Sequence, residues 1–323
     1  MNVIRKMLPM LMLMLLAGLL AGCNKEQPPA TEQPTNQQSQ TESSQKDTAF
    51  TFTDTKGEHS LPQQPKQIAT TVTYLTDHMI ALGMTPTATV KSQNEDFPLY
   101  LKPYVNDAKI IGAQGQVSME TLLDASPDLI ITDTNSKDKY ENYSKIAPTV
   151  MLENGYVAPN WEEAFRATAA AFGLDAKAAE VIQSYEAQKA KTIERIKDQA
   201  KGKTLMVLRI RNDIRYYGDM DYRWLYDDFG FTRPSVFPVT SADNRYEVLS
   251  IEKLPQIDPD FILLVNDNDA IYNDLQDMAL WKNMKAVKNN QVYPVSSDSW
   301  FGGYGPHAAT SMLDDLARLF EKK

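Results

Sequence analysis

Two phrases, SMETLLDASPDLIIT at residues 118–132 and SIEKLPQIDPDFILL at residues 250–264, most limit what this chain can fold into. In register, Ser118 matches Ser250, Glu120 matches Glu252 and Leu122 matches Leu254; Pro127-Asp128 matches Pro259-Asp260, and Ile130 matches Ile262. Each phrase reads as a short amphipathic helix, a Pro-Asp stop and an apolar run of a length suited to a buried strand. One unit written twice implies two similar lobes.

The flanking sequence supports this. QIATTVTYLTDHMIALGM reads as strand, polar turn and a helix ending at Gly83. AKIIGAQGQV adds a strand and a loop, and YENYSKIAPTVML a helix and a strand. The pattern restarts at KTLMVLRI; RNDIRYYGDMDYRWLYDDFGF reads as a loop and a helix ending at Gly230. LWKNMKAVKNNQVYPV then gives a helix, an Asn-Asn turn and a strand, and PHAATSMLDDLARLFEKK a closing amphipathic helix. Such alternation predicts mostly parallel sheets covered on both faces. Between the two halves lies a stretch dense in Ala, Glu, Lys and Gln. Gly173 breaks it, Asp175 is placed to cap the second helix and Gly202 closes it. Residues 175–199 form one predicted helix of roughly 37 Å, a stiff connector. The expected fold is α/β: two Rossmann-like α/β lobes, residues 49–165 and 203–323, joined through connecting helices 166–202 that include the single long α-helix.

The N-terminus stands apart. Arg5 and Lys6 precede MLPMLMLMLLAGLLAG, an uncharged run to Cys23. Residues 1–22 therefore read as a signal peptide, and LAGC at its end resembles a bacterial lipobox with Cys23 as the lipidated residue. Cys23 is the only cysteine, so no disulfide framework or thiolate metal site is possible. Residues 23–48, rich in Gln, Thr, Ser, Pro and Glu, bury too little apolar surface to offset ordering entropy and read as a disordered tether. A formal charge of −9 with no basic stripe excludes nucleic acid as an expected partner.

A lipidated signal, a tether, two lobes with the repeated E-x-L-x-x-x-x-P-D phrase and one helical spine together resemble the class III substrate-binding lipoproteins of bacterial ABC importers. YSKIAPTV, DFGFTRP and FGGYGPHAATSMLDDLA add to the likeness with the iron–siderophore type, closest to the ferric hydroxamate-binding branch. The resemblance implies a ligand cleft between the lobes and small lobe motions. It implies an iron(III)–siderophore ligand, hydroxamate or citrate–hydroxamate, whose iron is held by the siderophore, with no cofactor. It also implies a monomer anchored by Cys23 to the lipid bilayer on the extracytoplasmic face of the cell membrane. Glu120 and Glu252 would each meet arginines on one of two permease subunits. The same glutamates also suit helix N-termini, with Ser118 and Ser250 as caps.

Ligand contacts are expected at the C-terminal ends of strands, where open α/β sheets bind. Arg209 and Arg211 alternate at a strand end and so share a face, with Ile210 turned into the lobe. Paired guanidiniums suit oxygen-rich ligands, and the resemblance favours Arg211 ahead of Arg209; a sheet-edge ion pair is the alternative. Tyr217 adds a hydroxyl and a ring, with Arg215 and Tyr216 beside it, and Arg209, Arg215 and Arg223 together keep a carboxylate siderophore open. In SSDSWFGGYGPHAA, Gly302, Gly303 and Gly305 permit turns closed to other residues, and Trp300 and Tyr304 are the expected cleft aromatics, against simple packing of the loop. In the first lobe Tyr74, Thr73, Gln116, Tyr140 and Lys137 are candidates, while Trp161 is expected at the lobe junction. The histidines His59, His78 and His307 are too dispersed to form a metal site. Haem or cobalamin is the alternative ligand. No nucleophile elbow, Walker A or zincin motif is present, so no enzyme activity is expected.

Overall fold

Short branched runs form the interiors of two sheets in a computed structural model that describes residues 49–92, 96–157, 160–217, 220–236 and 245–320. The predicted signal peptide, the tether and Cys23 lie outside the described residues. A hairpin, β1 (Phe50–Asp54) and β2 (Gly57–Leu61), precedes the N-terminal sheet. That sheet contains β3 (Ile68–Thr70), β4 (Ala88–Lys91), β5 (Lys109–Ala113), β6 (Gln116–Val117), β7 (Leu129–Asp133) and β8 (Thr149–Leu152), in the order β6-β5-β4-β3-β7-β8. All pairings are parallel except β5–β6. Strands β3, β7 and β8 are buried along their whole length, as expected for strands covered on both faces.

The C-terminal sheet contains β9 (Leu205–Ile210), β10 (Ile214–Tyr217), β11 (Tyr246–Val248), β12 (Phe261–Asn266) and β13 (Val292–Pro294), in the order β11-β10-β9-β12-β13. Here the sequence expectation needs correction. The segment between β9 and the helix before Gly230 is not a plain loop. The Arg211 N–H donates to the Asp213 carbonyl at 2.9 Å, and the chain returns as antiparallel β10, with Arg215 opposite Arg209. The period-two order Ile214-Arg215-Tyr216-Tyr217 drives this. Ile214 and Tyr216 enter the core beneath one face, with Met206, Leu208 and Ile210, while Tyr217 joins Leu205 and Val207 on the other. The helix before Gly230 is confined to Arg223–Asp227. The sheet is therefore mixed, parallel only along β9, β12 and β13.

The repeated phrase has a common structural purpose. Leu122 and Leu254 are fully buried on equivalent short helices. Ser126 and Asp258, equivalent in register, both adopt left-handed backbone, with φ of 47° and 35°. Each turn then aims its aspartate at the start of the neighbouring parallel strand. Asp128 accepts from the N–H groups of Lys66 and Gln67 just before β3. Asp260 accepts from the N–H and hydroxyl of Thr204 just before β9. The copies differ at their caps. The Ser118 hydroxyl accepts from the Thr121 N–H at 3.2 Å, whereas Ser250 makes no such side-chain bond and a 3₁₀ turn, Ile251–Lys253, opens the second copy.

The spine helix runs from Asp175 to Ala200, roughly 39 Å at the usual rise. Leu174, not Asp175, occupies its N-cap and no side chain caps it. Its buried stripe, Ala178, Ile182, Tyr185, Thr192, Ile196 and Ala200, packs on the helix Trp161–Ala171 and on the closing helix Pro306–Leu319. The closing helix also packs on the first-lobe helix Thr73–Ala81, so it serves both halves. No helix among the described residues is long and apolar enough to cross a membrane.

Candidate ligand-binding site

The ends of β3, β7 and β8 bring three aromatic and acidic groups together in the N-terminal lobe. Tyr74 is buried; its hydroxyl donates to Asp133 at 3.1 Å and accepts the Gly155 N–H at 2.9 Å. A Cβ at Gly155 would stand 2.7 Å from the Tyr74 ring, so only glycine lets the β8 loop close here. Burial raises the Asp133 carboxyl above its usual range, against the lowering effect of hydrogen bonds from Tyr74 and Asn135. Tyr156 sits edge-on to Tyr74 at 4.8 Å. Burial pushes its phenol up to about 12, opposed by a hydrogen bond with Gln114. The Gln114 amide oxygen also accepts the Thr73 N–H at 3.2 Å.

The facing wall is built on β9 and β10 and on the turn Asp298–Gly302, which has a π-helical hydrogen-bond pattern of the kind frequent at functional sites. Arg209 is 8% exposed; it pairs with Asp267 at 2.6 Å and lies 4.4 Å over the Phe301 ring. Phe301 meets Tyr217 edge-on at 4.6 Å, and Tyr217 rests on Tyr246. Arg215 stacks over Tyr246 and pairs with Asp213. Arg245 pairs with Asp221 and stands close enough to Tyr304 to lower its pKa, although burial still pushes that phenol up to about 12. The two walls meet where the Tyr156 hydroxyl donates to the Gly302 carbonyl at 3.1 Å and its ring lies 5.6 Å from Tyr304.

Several candidates occupy other places than the sequence suggested. Arg211 lies beyond the strand, exposed in the β9–β10 turn; the guanidiniums that share a face are Arg209 and Arg215, across two strands. Trp300 is 4% exposed. Its indole N–H donates to Asp315 at 2.9 Å and its ring stacks on Trp224, so it is core behind the wall, and Phe301 is the loop aromatic that meets Arg209. Tyr217 is also largely buried, behind Phe301. Gln116 is exposed on β6; Gln114 is the glutamine that reaches the tyrosines. Tyr140 turns away, its hydroxyl 3.5 Å from the carbonyl of Thr149 at the start of β8 and its ring beneath Lys56. Arg223 is exposed and pairs with Asp227. Trp161 sits at the junction, edge-on to Tyr185 of the spine. The three glycines of the last loop are not left-handed. Asp133, Tyr156 and Arg245 escaped the sequence reading, and Phe301 was passed over for its neighbours Trp300 and Tyr304; the Asp that ends LIITD and the Asn-Gly-Tyr after β8 were the available signals.

Among the described residues, no group of three or more His, Cys, Asp and Glu is placed to hold a metal ion. A cavity of about 320 Å³ lies between Tyr100 and the closing helix and includes neither Arg209 nor Tyr304. It is distinct from the tyrosine–arginine site.

The sequence model of the periplasmic binding protein family matches residues 60–298, most of the described chain. This chain belongs to the periplasmic binding protein family. Among curated members, it is 30% identical to a probable siderophore-binding lipoprotein of Bacillus subtilis, over 81% of this chain and 85% of that one. It is 27% identical to an iron(III) citrate-binding protein of the same organism, with 98% of each chain covered. The crystal structure of a petrobactin-binding protein from B. subtilis superposes with a TM-score of 0.67 at 19% identity, over 85% of this chain and all of that one, which establishes a shared fold. The tyrosine–arginine site lies where loops of the two sheets meet, at the contact of Tyr156 with Gly302 and Tyr304.

Proposed function

We propose that this protein is the substrate-binding component of an ABC importer. Its cleft captures an iron(III)–siderophore complex of the hydroxamate or citrate–hydroxamate type. The observation that carries this reading is the guanidinium–aromatic pair of Arg209 and Phe301, backed by Tyr217, with Tyr156 and Tyr304 on the other side, in a member of this family. Relatives named for a siderophore and for iron(III) citrate support an oxygen-rich iron complex. Such iron arrives already ligated. The protein then needs donors for the ligand's oxygens and rings for its apolar parts, and supplies no iron ligand and no catalytic group.

Charge favours a ligand of low net charge. Arg209, Arg215 and Arg245 each carry an aspartate, Asp267, Asp213 and Asp221. On this wall three guanidiniums face three carboxylates, so little net positive charge is left. A triply anionic catecholate complex would meet little compensation there. Delivery to the permease would use Glu120 and Glu252, both exposed at the first turns of the equivalent helices. A lipid on Cys23 would hold the protein at the extracytoplasmic face of the membrane.

Tryptophan fluorescence of the body from residue 48 onward tests the proposal, because Trp300 lies directly behind the wall. The titrants are ferrioxamine, ferrichrome, ferric schizokinen, ferric citrate, a ferric catecholate, haem and cobalamin. Saturable quenching by a hydroxamate or citrate–hydroxamate complex, weakened about tenfold or more by Arg209→Ala, is expected. Preference for the catecholate would overturn the ligand type. Response only to haem or cobalamin would overturn the iron–siderophore reading.

A further inference from the structure

The last loop belongs to the C-terminal half of the chain, yet its contacts divide it. Trp300 and Phe301 pack on Tyr222, Trp224 and Tyr217 of the C-terminal lobe. From Gly303 to Ala308 the close and hydrogen-bonding contacts include Tyr100, Asp77 and His78 of the N-terminal lobe, while Arg245 of the C-terminal lobe stands near Tyr304. A Cβ at Gly303 would stand 3.1 Å from the Tyr100 hydroxyl and 2.3 Å from Ala308 Cβ, and one at Gly305 would stand 2.7 Å from the Asp77 carboxyl carbon. Asp77 is fully buried. It accepts from the N–H groups of His307 and Ala308, both at 3.0 Å, and from the His307 imidazole at 2.7 Å. It thereby meets the first turn of the fourteen-residue closing helix with negative charge. His78, also fully buried, lies 2.9 Å from the Tyr304 carbonyl through Nε2 and 2.9 Å from Thr168 Oγ1 through Nδ1. A carbonyl only accepts, so Nε2 carries the proton, and the single Thr168 hydroxyl proton is shared between Nδ1 and the Ala164 carbonyl 3.1 Å away.

We infer that Asp77 and His78 are positioning residues for the binding cleft: they fix Tyr304 to the N-terminal lobe, and Gly302 and Gly303 form the joint across which Phe301 stays with the C-terminal lobe. A ligand held between Tyr304 and Arg209 is then gripped by both lobes, although both residues lie in the C-terminal half of the chain. This rests on the cleft being the ligand site.

The test separates position from binding. Fluorotyrosine is introduced throughout, and the Tyr304 fluorine resonance, assigned with Tyr304→Phe, is followed in ligand-free protein. His78→Leu and Asp77→Asn should shift or broaden it, and His78→Gln, which keeps a donor for the carbonyl, should restore it. With ferrioxamine as probe, His78→Leu should weaken binding about tenfold and His78→Gln less than threefold, while His78→Leu added to Tyr304→Ala should cost nothing further. An unchanged Tyr304 resonance in both His78→Leu and Asp77→Asn would overturn the inference, as would full additivity with Tyr304→Ala. Failure of wild-type protein to bind any siderophore probe would count against the functional proposal instead, and the ligand-free resonance would still decide this one. If Asp77→Asn does not fold, the His78 pair carries the test.

Discussion

His78 makes the stability of this protein sensitive to mild acid, by an amount that follows from its surroundings. Its ring is fully buried, edge-on to Tyr74 and Phe165 at 5.2 Å each. Burial lowers its pKa from 6.5 to about 4, partly offset by neighbouring Asp77 and by the bond to the Tyr304 carbonyl. The unfolded chain therefore binds a proton at His78 between about pH 6.5 and 4 that the folded protein refuses. The neutral-ring stability is fully present above pH 6.5 and is lost as pH falls toward 4. At about 1.36 kcal/mol per pH unit, this single group removes about 3 kcal/mol by pH 4. Urea unfolding of wild type and His78→Gln at pH 7, 6, 5 and 4 measures it, because carboxylate titration is common to both proteins. The difference in unfolding free energy between them should shrink by about 3 kcal/mol on going from pH 7 to pH 4. Parallel curves over that range would refute the burial argument.

Gly305→Ala should destabilise the body by about 1–3 kcal/mol, read as a lower thermal midpoint, because the new methyl meets the Asp77 carboxylate; an unchanged midpoint would show that the helix start relaxes freely. Asp128→Ala and Asp260→Ala should each cost about 1–3 kcal/mol in urea unfolding, since each strands backbone donors at a strand start. Glu120→Lys and Glu252→Lys should each reduce iron uptake in cells while leaving ligand titrations of the isolated body unchanged; a large loss of affinity would argue against a docking role.

Features set by short-range spacing could be read directly. The helix Thr73–Ala81 with its stop at Gly83, the spine Asp175–Ala200 between Gly173 and Gly202, and the helix–turn–strand repeat all follow from periodicity and glycine stops. The site depends on contacts between distant segments and was less legible. Nothing local distinguishes Trp300, which donates to Asp315 in the core, from Phe301, which turns toward Arg209. The glycines beside them suggested unusual dihedrals; their cause is the approach of Tyr100 and Asp77, two hundred or so positions earlier in the chain. The turn at Arg211 to Asp213 was also concealed, because four alternating residues in β10 are too few to stand out from a loop.

The repeat also explains why the two sides of the candidate site differ. Both lobes use the same device to align their central parallel strands: a buried leucine, a left-handed turn residue and an aspartate that binds the start of the next strand. The lobes diverge immediately after that first strand. In the N-terminal lobe, β3 runs directly into a helix, which brings Tyr74, Asp77 and His78 to the lobe junction on a rigid element. In the C-terminal lobe, β9 turns back as β10, which sets Arg209 and Arg215 side by side on a sheet face. A helix start offers ordered backbone and anchored tyrosines, and a hairpin offers paired guanidiniums. The duplicated scaffold thus sets tyrosines at the strand ends of one lobe and paired arginines on the sheet of the other, an asymmetry that the proposed ligand, with apolar faces and exposed oxygens, would use.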